Sequence, residues 1–295
     1  MSILTSQKAL IKRKELVSLG YTTIPDVMPK ILLKQLNNWS EKKFQEIPIP
    51  HKVRYQGSDI FVSTKRRWTK LEQDGGVGEG YVHPPDRKNH FPDSHAEKII
   101  DLPSQLAVCS KIGLEHLKAD DVVIILSKPG FGPPLYWHQD FMKWQSPEAA
   151  TPWPTRIFLS YYLTDTNRKN GCLRVIPGSH RKRHELHDTL PDAHGVDIQS
   201  IDDLSHPAFA DFPDAVDVPL KAGDLVIADA RILHSAWPNQ TNKRRTLLLA
   251  WHDVFTFPKP PSWWTGDIPD VVRTADPDLR YERSPNFRTP SHYIR

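Results

Sequence analysis

Residues 122–140 read VVIILSKPGFGPPLYWHQD: two apolar runs, each too short for a helix, parted by a turn with two glycines and three prolines. Runs of this kind recur downstream. Val122 to Ser127, Leu135 to Asp140, Arg156 to Thr164, Cys172 to Ile176, Val216 to Pro219, Asp224 to Ala228, Ile232 to Trp237 and Arg245 to Phe255 form eight short strand candidates with Gly/Pro turns between them. A parallel sheet needs a helical crossover after each strand, and none alternates here. The pattern therefore predicts a mainly β chain with flanking helices, an α+β arrangement around a jelly-roll barrel.

Upstream of this block, residues 6–19 and 28–46 carry apolar side chains at helical spacing (Leu10, Ile11, Val17; Ile31, Leu32, Leu36, Trp39) on either side of a strand-like Tyr21 to Ile24. Ser94 and Glu97 read as a capping box ahead of a helix running to about Lys118. Residues 50–95 hold five glycines and several prolines with no period, too long for an ordinary connection, and read as a lid or binding loop. The expected organisation is one domain over residues 1–295: an N-terminal helical and lid region, 1–120; the β core, 121–255, interrupted by a polar insert, 181–215; and a Pro-rich tail, 256–295, carrying Trp263 and Trp264. The lid, the insert and the tail are each candidates to cover the barrel mouth.

Composition narrows the partners. With 39 basic against 35 acidic side chains the net charge is +4, and it is spread along the chain, so a nucleic-acid-binding or membrane-surface face is not expected. Two cysteines cannot build a disulfide framework and suit a reducing compartment. Lys8, Lys12, Arg13 and Lys14 stand where a secretory signal would be apolar, which predicts a cytoplasmic protein. A small molecule is the expected partner.

His138 and Asp140 sit at i and i+2 at the end of a strand, so their side chains leave one face with Cα atoms about 6.5 Å apart. This is the only His-x-Asp among 14 histidines. A third ligand must come from another strand, and His234 lies on one. Two imidazoles and a carboxylate are the facial triad of non-haem Fe(II) oxygenases; the open positions suit a bidentate 2-oxo acid and O2. The remote carboxylate of such a diacid favours an Arg fork. Arg245 shares a strand face with Leu247, Leu249 and Trp251, while Arg244 would be selected by a one-residue slip. His95-Ala96-Glu97 mimics the motif, but on a helix i and i+2 do not face each other. His184 and His187 read as a solvated charged turn.

Lys128-Pro129-Gly130-Phe131, Tyr136-Trp137-His138-Gln139-Asp140-Phe141 with Trp144, Asn170-Gly171, Pro177-Gly178-Ser179-His180-Arg181, and His234 with Asn239, Thr241 and Arg245 resemble the phytanoyl-CoA dioxygenase family, with local similarity to ectoine hydroxylases. The resemblance spans roughly Leu16 to Val254. It implies a double-stranded β-helix of the cupin-like type, iron held by His138, Asp140 and His234, 2-oxoglutarate and O2 as co-substrates, and Arg245, Trp144 and Thr241 as cosubstrate contacts. The implied reaction is oxidation, most simply hydroxylation, of an unactivated C–H bond with release of CO2 and succinate; desaturation, epoxidation or ring formation with the same cofactors are the alternative outcomes. Asp140 argues against halogenation, because related halogenases have a small residue there. Ala236 and Leu126 depart from the pattern and leave a non-catalytic metal-binding jelly roll as the second reading.

Overall fold

The computed structural model describes residues 4–46, 60–67, 90–141, 143–191, 196–201, 203–276 and 279, so most of the expected lid and the end of the tail lie outside the described residues. The chain order is α1 (Ser6–Leu19), β1 (Tyr21–Ile24), α2 (Lys30–Glu46), β2 (Ile60–Ser63), β3 (His90–Pro92), α3 (His95–Ile100), α4 (Pro103–Ile112), β4 (Lys118–Lys128), β5 (Leu135–His138), β6 (Arg156–Tyr162), β7 (Leu173–Val175), α5 (Leu186–Thr189), α6 (Val196–Gln199), β8 (Val216–Val218), β9 (Leu225–Asp229), β10 (His234–Ala236), β11 (Arg245–Asp253) and α7 (Asp270–Arg273). All eight strands expected from the sequence form, as β4 to β11.

They divide four and four between two sheets. The larger has the order β1-β9-β6-β11-β4-β2-β3 and the smaller β5-β10-β7-β8, so β4, β6, β9 and β11 face β5, β7, β8 and β10 as a jelly roll. Alternation along β11 sorts its side chains: Leu247 and Leu249 join Ile124, Phe158, Tyr162 and Val226 between the sheets, whereas Leu248 and Ala250 face a second core with Leu16, Leu36, Ile99 and Ile112 from the helices. The helices thus cover the outer face of the larger sheet and leave the interior to the site.

The N-terminal region does more than cover the barrel. Beyond the expected β1, it contributes β2 and β3, in a segment read from sequence as lid; β2 pairs antiparallel with β4, Ile60 opposite Ile125, and β3 runs parallel to β2. The single helix expected from Ser94 to about Lys118 is two. Pro103 forces Leu102 into an extended conformation (φ −62°, ψ 113°), and α4 ends at Gly113 with φ 83°. The capping box does not form either: Asp93, not Ser94, accepts the His95 N–H at 2.9 Å, and Glu97 accepts from the Lys65 backbone N–H instead.

The insert and tail also sit elsewhere than expected. Leu186, Leu190, Ile198 and Ala208 of the insert pack on Trp137, Ile176 and Leu233, on the outer side of the smaller sheet. Trp263 donates to the Gly113 carbonyl at 2.8 Å and Trp264 lies against Trp153. No described helix is long and apolar enough to cross a membrane.

Two histidines in this frame are buried and neutral. Burial pushes His180 down to about 4, partly offset by the Asp229 charge and reinforced by that of Arg231; burial likewise pushes His252 down to about 4. His180 is also crowded: at Gly20, which ends α1 with φ 86°, an added Cβ would lie 2.6 Å from its Nδ1. Because the folded values lie below the unfolded value near 6.5, the unfolded chain takes up these protons first. Stability should therefore fall as pH drops from about 6.5 toward 4, by up to ~1.4 kcal/mol per pH unit for each histidine. Urea denaturation across this range measures the slope; replacing His252 by Gln should flatten it.

Candidate metal centre

Strand register brings the two ligand histidines together. His234 of β10 lies directly opposite His138 of β5, and the rings stand 4.1 Å apart. Asp140 follows β5, and its N–H and that of Phe141 both donate to the Ala230 carbonyl at 2.9 Å, which fixes where the carboxylate emerges. Ligand atoms of His138, Asp140 and His234 lie within 4.8 Å of one another, all three residues are buried, and they form the one such cluster among the described residues.

The hydrogen bonds orient each ligand. Nδ1 of His138 meets the Tyr136 carbonyl at 3.0 Å and Nδ1 of His234 meets the Ile232 carbonyl at 3.1 Å. With the proton on Nδ1 in both rings, Nε2 is the nitrogen each has for a metal. Nε2 of His138 is 3.5 Å from Asp140 Oδ1. The other oxygen, Oδ2, accepts from the indole N–H of Trp251 at 3.0 Å. Oδ1 is thereby turned toward the histidines. Phe158 closes one side of the His234 ring at 4.8 Å.

Trp251 was visible in the sequence as a member of the Arg245 face, but its partner was not, because that contact depends on where β11 ends relative to β5. Replacing Trp251 by Phe keeps an aromatic side chain of smaller volume and removes the N–H bonded to Asp140. Iron affinity should fall about tenfold, the usual penalty for losing a group that orients a metal ligand, with little change in thermal midpoint. Competition with a chelator measures it.

Further along β11 the register sorts Arg244 and Arg245 to opposite faces. Arg244 points outward, over the Phe44 ring at 4.4 Å and toward Ser127. Arg245 points inward and is buried; Nη2 donates to the Gly171 carbonyl at 2.8 Å, and Nε is buried with no hydrogen-bond partner. Its direct cross-strand neighbour is Lys128. Lys128 is buried too, its Nζ donating to the Pro133 carbonyl at 2.6 Å, and burial together with the Arg245 charge pushes its ammonium well below the ordinary lysine value. Among the described residues neither cation has a carboxylate partner. Two like charges placed opposite on one sheet face repel, and burial removes the water that would screen them. Gly171 makes room for the pair: with φ 87°, an added Cβ would lie 2.6 Å from Lys128 Cδ. The sequence reading had Arg245 and the Lys-Pro-Gly-Phe motif but did not give Lys128 a role.

Trp144 and Thr241, the other two expected cosubstrate contacts, each have protein partners. Trp144 packs edge-on against Phe141, centroids 5.0 Å apart, in a small cluster with Ala149 and Ala230. Thr241 donates its hydroxyl to Asn239 Oδ1 at 2.7 Å in a turn that Asn239 ties to the Lys128 and Pro129 carbonyls. His187, read as part of a solvated turn, is instead buried, with Nε2 3.1 Å from the Gln139 amide between the two ligands. His95 pairs with Asp93 and stacks on Trp39, away from any ligand set.

A buried His-x-Asp and distal His inside a jelly roll define the non-haem iron oxygenase class. Within it, the chain belongs to the phytanoyl-CoA dioxygenase (PhyH) family, whose model matches residues 17–247. An ectoine dioxygenase of Sphingopyxis alaskensis is 31% identical over 198 residues, covering 59% of this chain and 61% of that protein. The chain spans about half to three fifths of the length of such curated relatives. Among solved structures, the epimerase SnoN from nogalamycin biosynthesis, in complex with Fe3+, alpha ketoglutarate and nogalamycin RO, superposes with a TM-score of 0.56 at 19% identity over 95% of this chain and 96% of that one. The carbocyclase SnoK from the same biosynthesis gives 0.53 at 17% identity, covering 84% of each chain. At these identities the structural likeness establishes the fold.

Proposed function

We propose that this protein is an Fe(II)/2-oxoglutarate-dependent dioxygenase that hydroxylates an unactivated C–H bond of a small molecule. The balance is one O2 and one 2-oxoglutarate consumed for one C–OH, one CO2 and one succinate. The observation that carries the reading is the pairing, inside one barrel, of the buried His138–Asp140–His234 cluster with the two unpaired buried cations Arg245 and Lys128. A metal chelator alone would need only the first. A diacid cosubstrate needs both, one end at the metal and the other at the cations.

Nε2 of His138, Nε2 of His234 and Oδ1 of Asp140 would hold the iron; bound iron and 2-oxoglutarate supply the oxidising chemistry. The chain does the rest. Tyr136 and Ile232 fix the imidazole tautomers through their carbonyls, and Trp251 fixes the carboxylate. Arg245 and Lys128 receive the remote carboxylate, and Leu126, Leu247 and Leu249, packed in the interior, keep water from the path between. Leu126 thus offers an apolar wall where the family pattern led to a polar contact. A cleft of about 350 Å³ beside Asp140, walled by Phe61, Val122, Phe141 and Trp251, gives the substrate its approach.

The relatives' names, an ectoine dioxygenase among them, support oxidation of a small metabolite. Anaerobic addition of Fe(II) and then 2-oxoglutarate should produce the weak visible charge-transfer band of a chelated oxo acid, and aerobic incubation should release succinate. Absence of both from iron-loaded protein would transfer the assignment to a non-catalytic metal-binding jelly roll.

A further inference from the structure

The cleft beside Asp140 carries three cations, Arg67, Lys143 and Arg156, and besides Asp140 two carboxylates, Asp120 and Asp253. Two of the cations are already neutralised. Arg156 is forked onto Asp120 and reaches Asp253 at 2.8 Å, and Lys143 pairs with Glu148 at 2.9 Å. Arg67 has no such partner. Its Nη1 donates to the Asp120 backbone carbonyl at 2.6 Å, its backbone N–H is held by Thr64 Oγ1 at 3.1 Å, and its Nε is buried with no hydrogen-bond partner. It makes no ion pair among the described residues. The neighbouring Arg66 shows the contrast: it faces away and is met by both Asp101 and Asp121.

A part-buried guanidinium fixed by a carbonyl, lining a small cleft next to the proposed ligand carboxylate, keeps donors for an acceptor that no described residue supplies. Planar donors of this kind select oxyanions. We propose that Arg67 is the specificity-determining residue of this site and that the substrate is a small anion, a carboxylate or phosphonate, whose charged end sits on Arg67 while its reacting carbon lies over Asp140. This rests on the oxygenase reading above. The cleft volume of about 350 Å³ is at the small end for ligand sites, which fits a compact metabolite rather than a long acyl thioester.

The test uses propionate and methylphosphonate as probes, titrated calorimetrically into the anaerobic protein loaded with Fe(II) and saturating 2-oxoglutarate, which occupies the Arg245–Lys128 pair in advance. Wild type should bind both anions and reject propionamide and propylamine. Arg67→Gln keeps a donor for the Asp120 carbonyl but loses the charge, and should bind the anions about ten- to a hundredfold more weakly. Arg66→Gln, one residue away on the solvent side, should bind as wild type. Equal binding of propionamide, undiminished anion binding in Arg67→Gln, or no anion binding by wild type would each overturn the proposal. The visible band read in the same cell separates the outcomes: if it fails to form, the oxygenase reading has failed, whereas a normal band without anion binding refutes the substrate class alone.

Discussion

Asp140→Ala will reduce 2-oxoglutarate turnover to background, a loss of at least about three orders of magnitude, because the oxidising chemistry belongs to the metal and the chain's part is to hold it. The substitution removes one of the three proposed ligands and also strands the Trp251 indole N–H, whose partner it was. The backbone should not move, since the Asp140 N–H still donates to the Ala230 carbonyl. The expected signature is therefore a folded protein with an unchanged far-UV spectrum, no visible band at iron concentrations that saturate wild type, and no succinate. Asp140→Asn separates charge from shape: it keeps an oxygen for the metal or for Trp251 but loses the negative charge, and should bind iron weakly without restoring turnover. Wild-type-like succinate release from the alanine variant would remove Asp140 from the ligand set.

Periodicity was enough for the strands of the barrel and for His138 at the end of one; Asp140, expected on the same strand, lies just past β5 and is placed by the Ala230 carbonyl. Eight runs of apolar residues with Gly/Pro turns are local signals, and His138 and Asp140 are two residues apart. His234 needed one further step, a search for a partner on another strand, and the inward facing of Arg245 needed only the alternation of β11. Two differences from the sequence reading come from partners distant in sequence. Glu97 looks like a cap for Ser94 until the Lys65 N–H takes it, and His187 looks solvated until the insert folds onto the smaller sheet and brings it to Gln139. Trp144 and Thr241, expected from the resemblance to touch the cosubstrate, have Phe141 and Asn239 as protein partners close by in sequence. Lys128 was missed for a related reason. Before a Pro-Gly turn a lysine reads as a solvated strand end, and only the register opposite Arg245 makes it a buried second cation.

That register sets the second large effect. Arg245→Ala should raise the 2-oxoglutarate concentration for half-saturation about a hundredfold, since a forked guanidinium on a buried carboxylate makes charge-assisted hydrogen bonds and each tenfold corresponds to about 1.4 kcal/mol. The visible band should still form at high cosubstrate, because the other end of the diacid is held at the metal. Lys128→Met tests the pairing from the opposite side, with two readouts of opposite sign. Without cosubstrate, wild type holds two like charges opposite one another in a buried site; Met fills much of the lysine's volume without a charge, so the variant should melt at a higher temperature than wild type. With 2-oxoglutarate the order should reverse or narrow, since wild type is stabilised by about 2.7 kcal/mol at a hundred times its dissociation constant and the variant, binding more weakly, by less. A merely structural lysine would lower the melting temperature in both conditions. The crossing of the two melting curves is thus specific to a cation pair that the fold holds, at a cost in stability, for a dianionic cosubstrate.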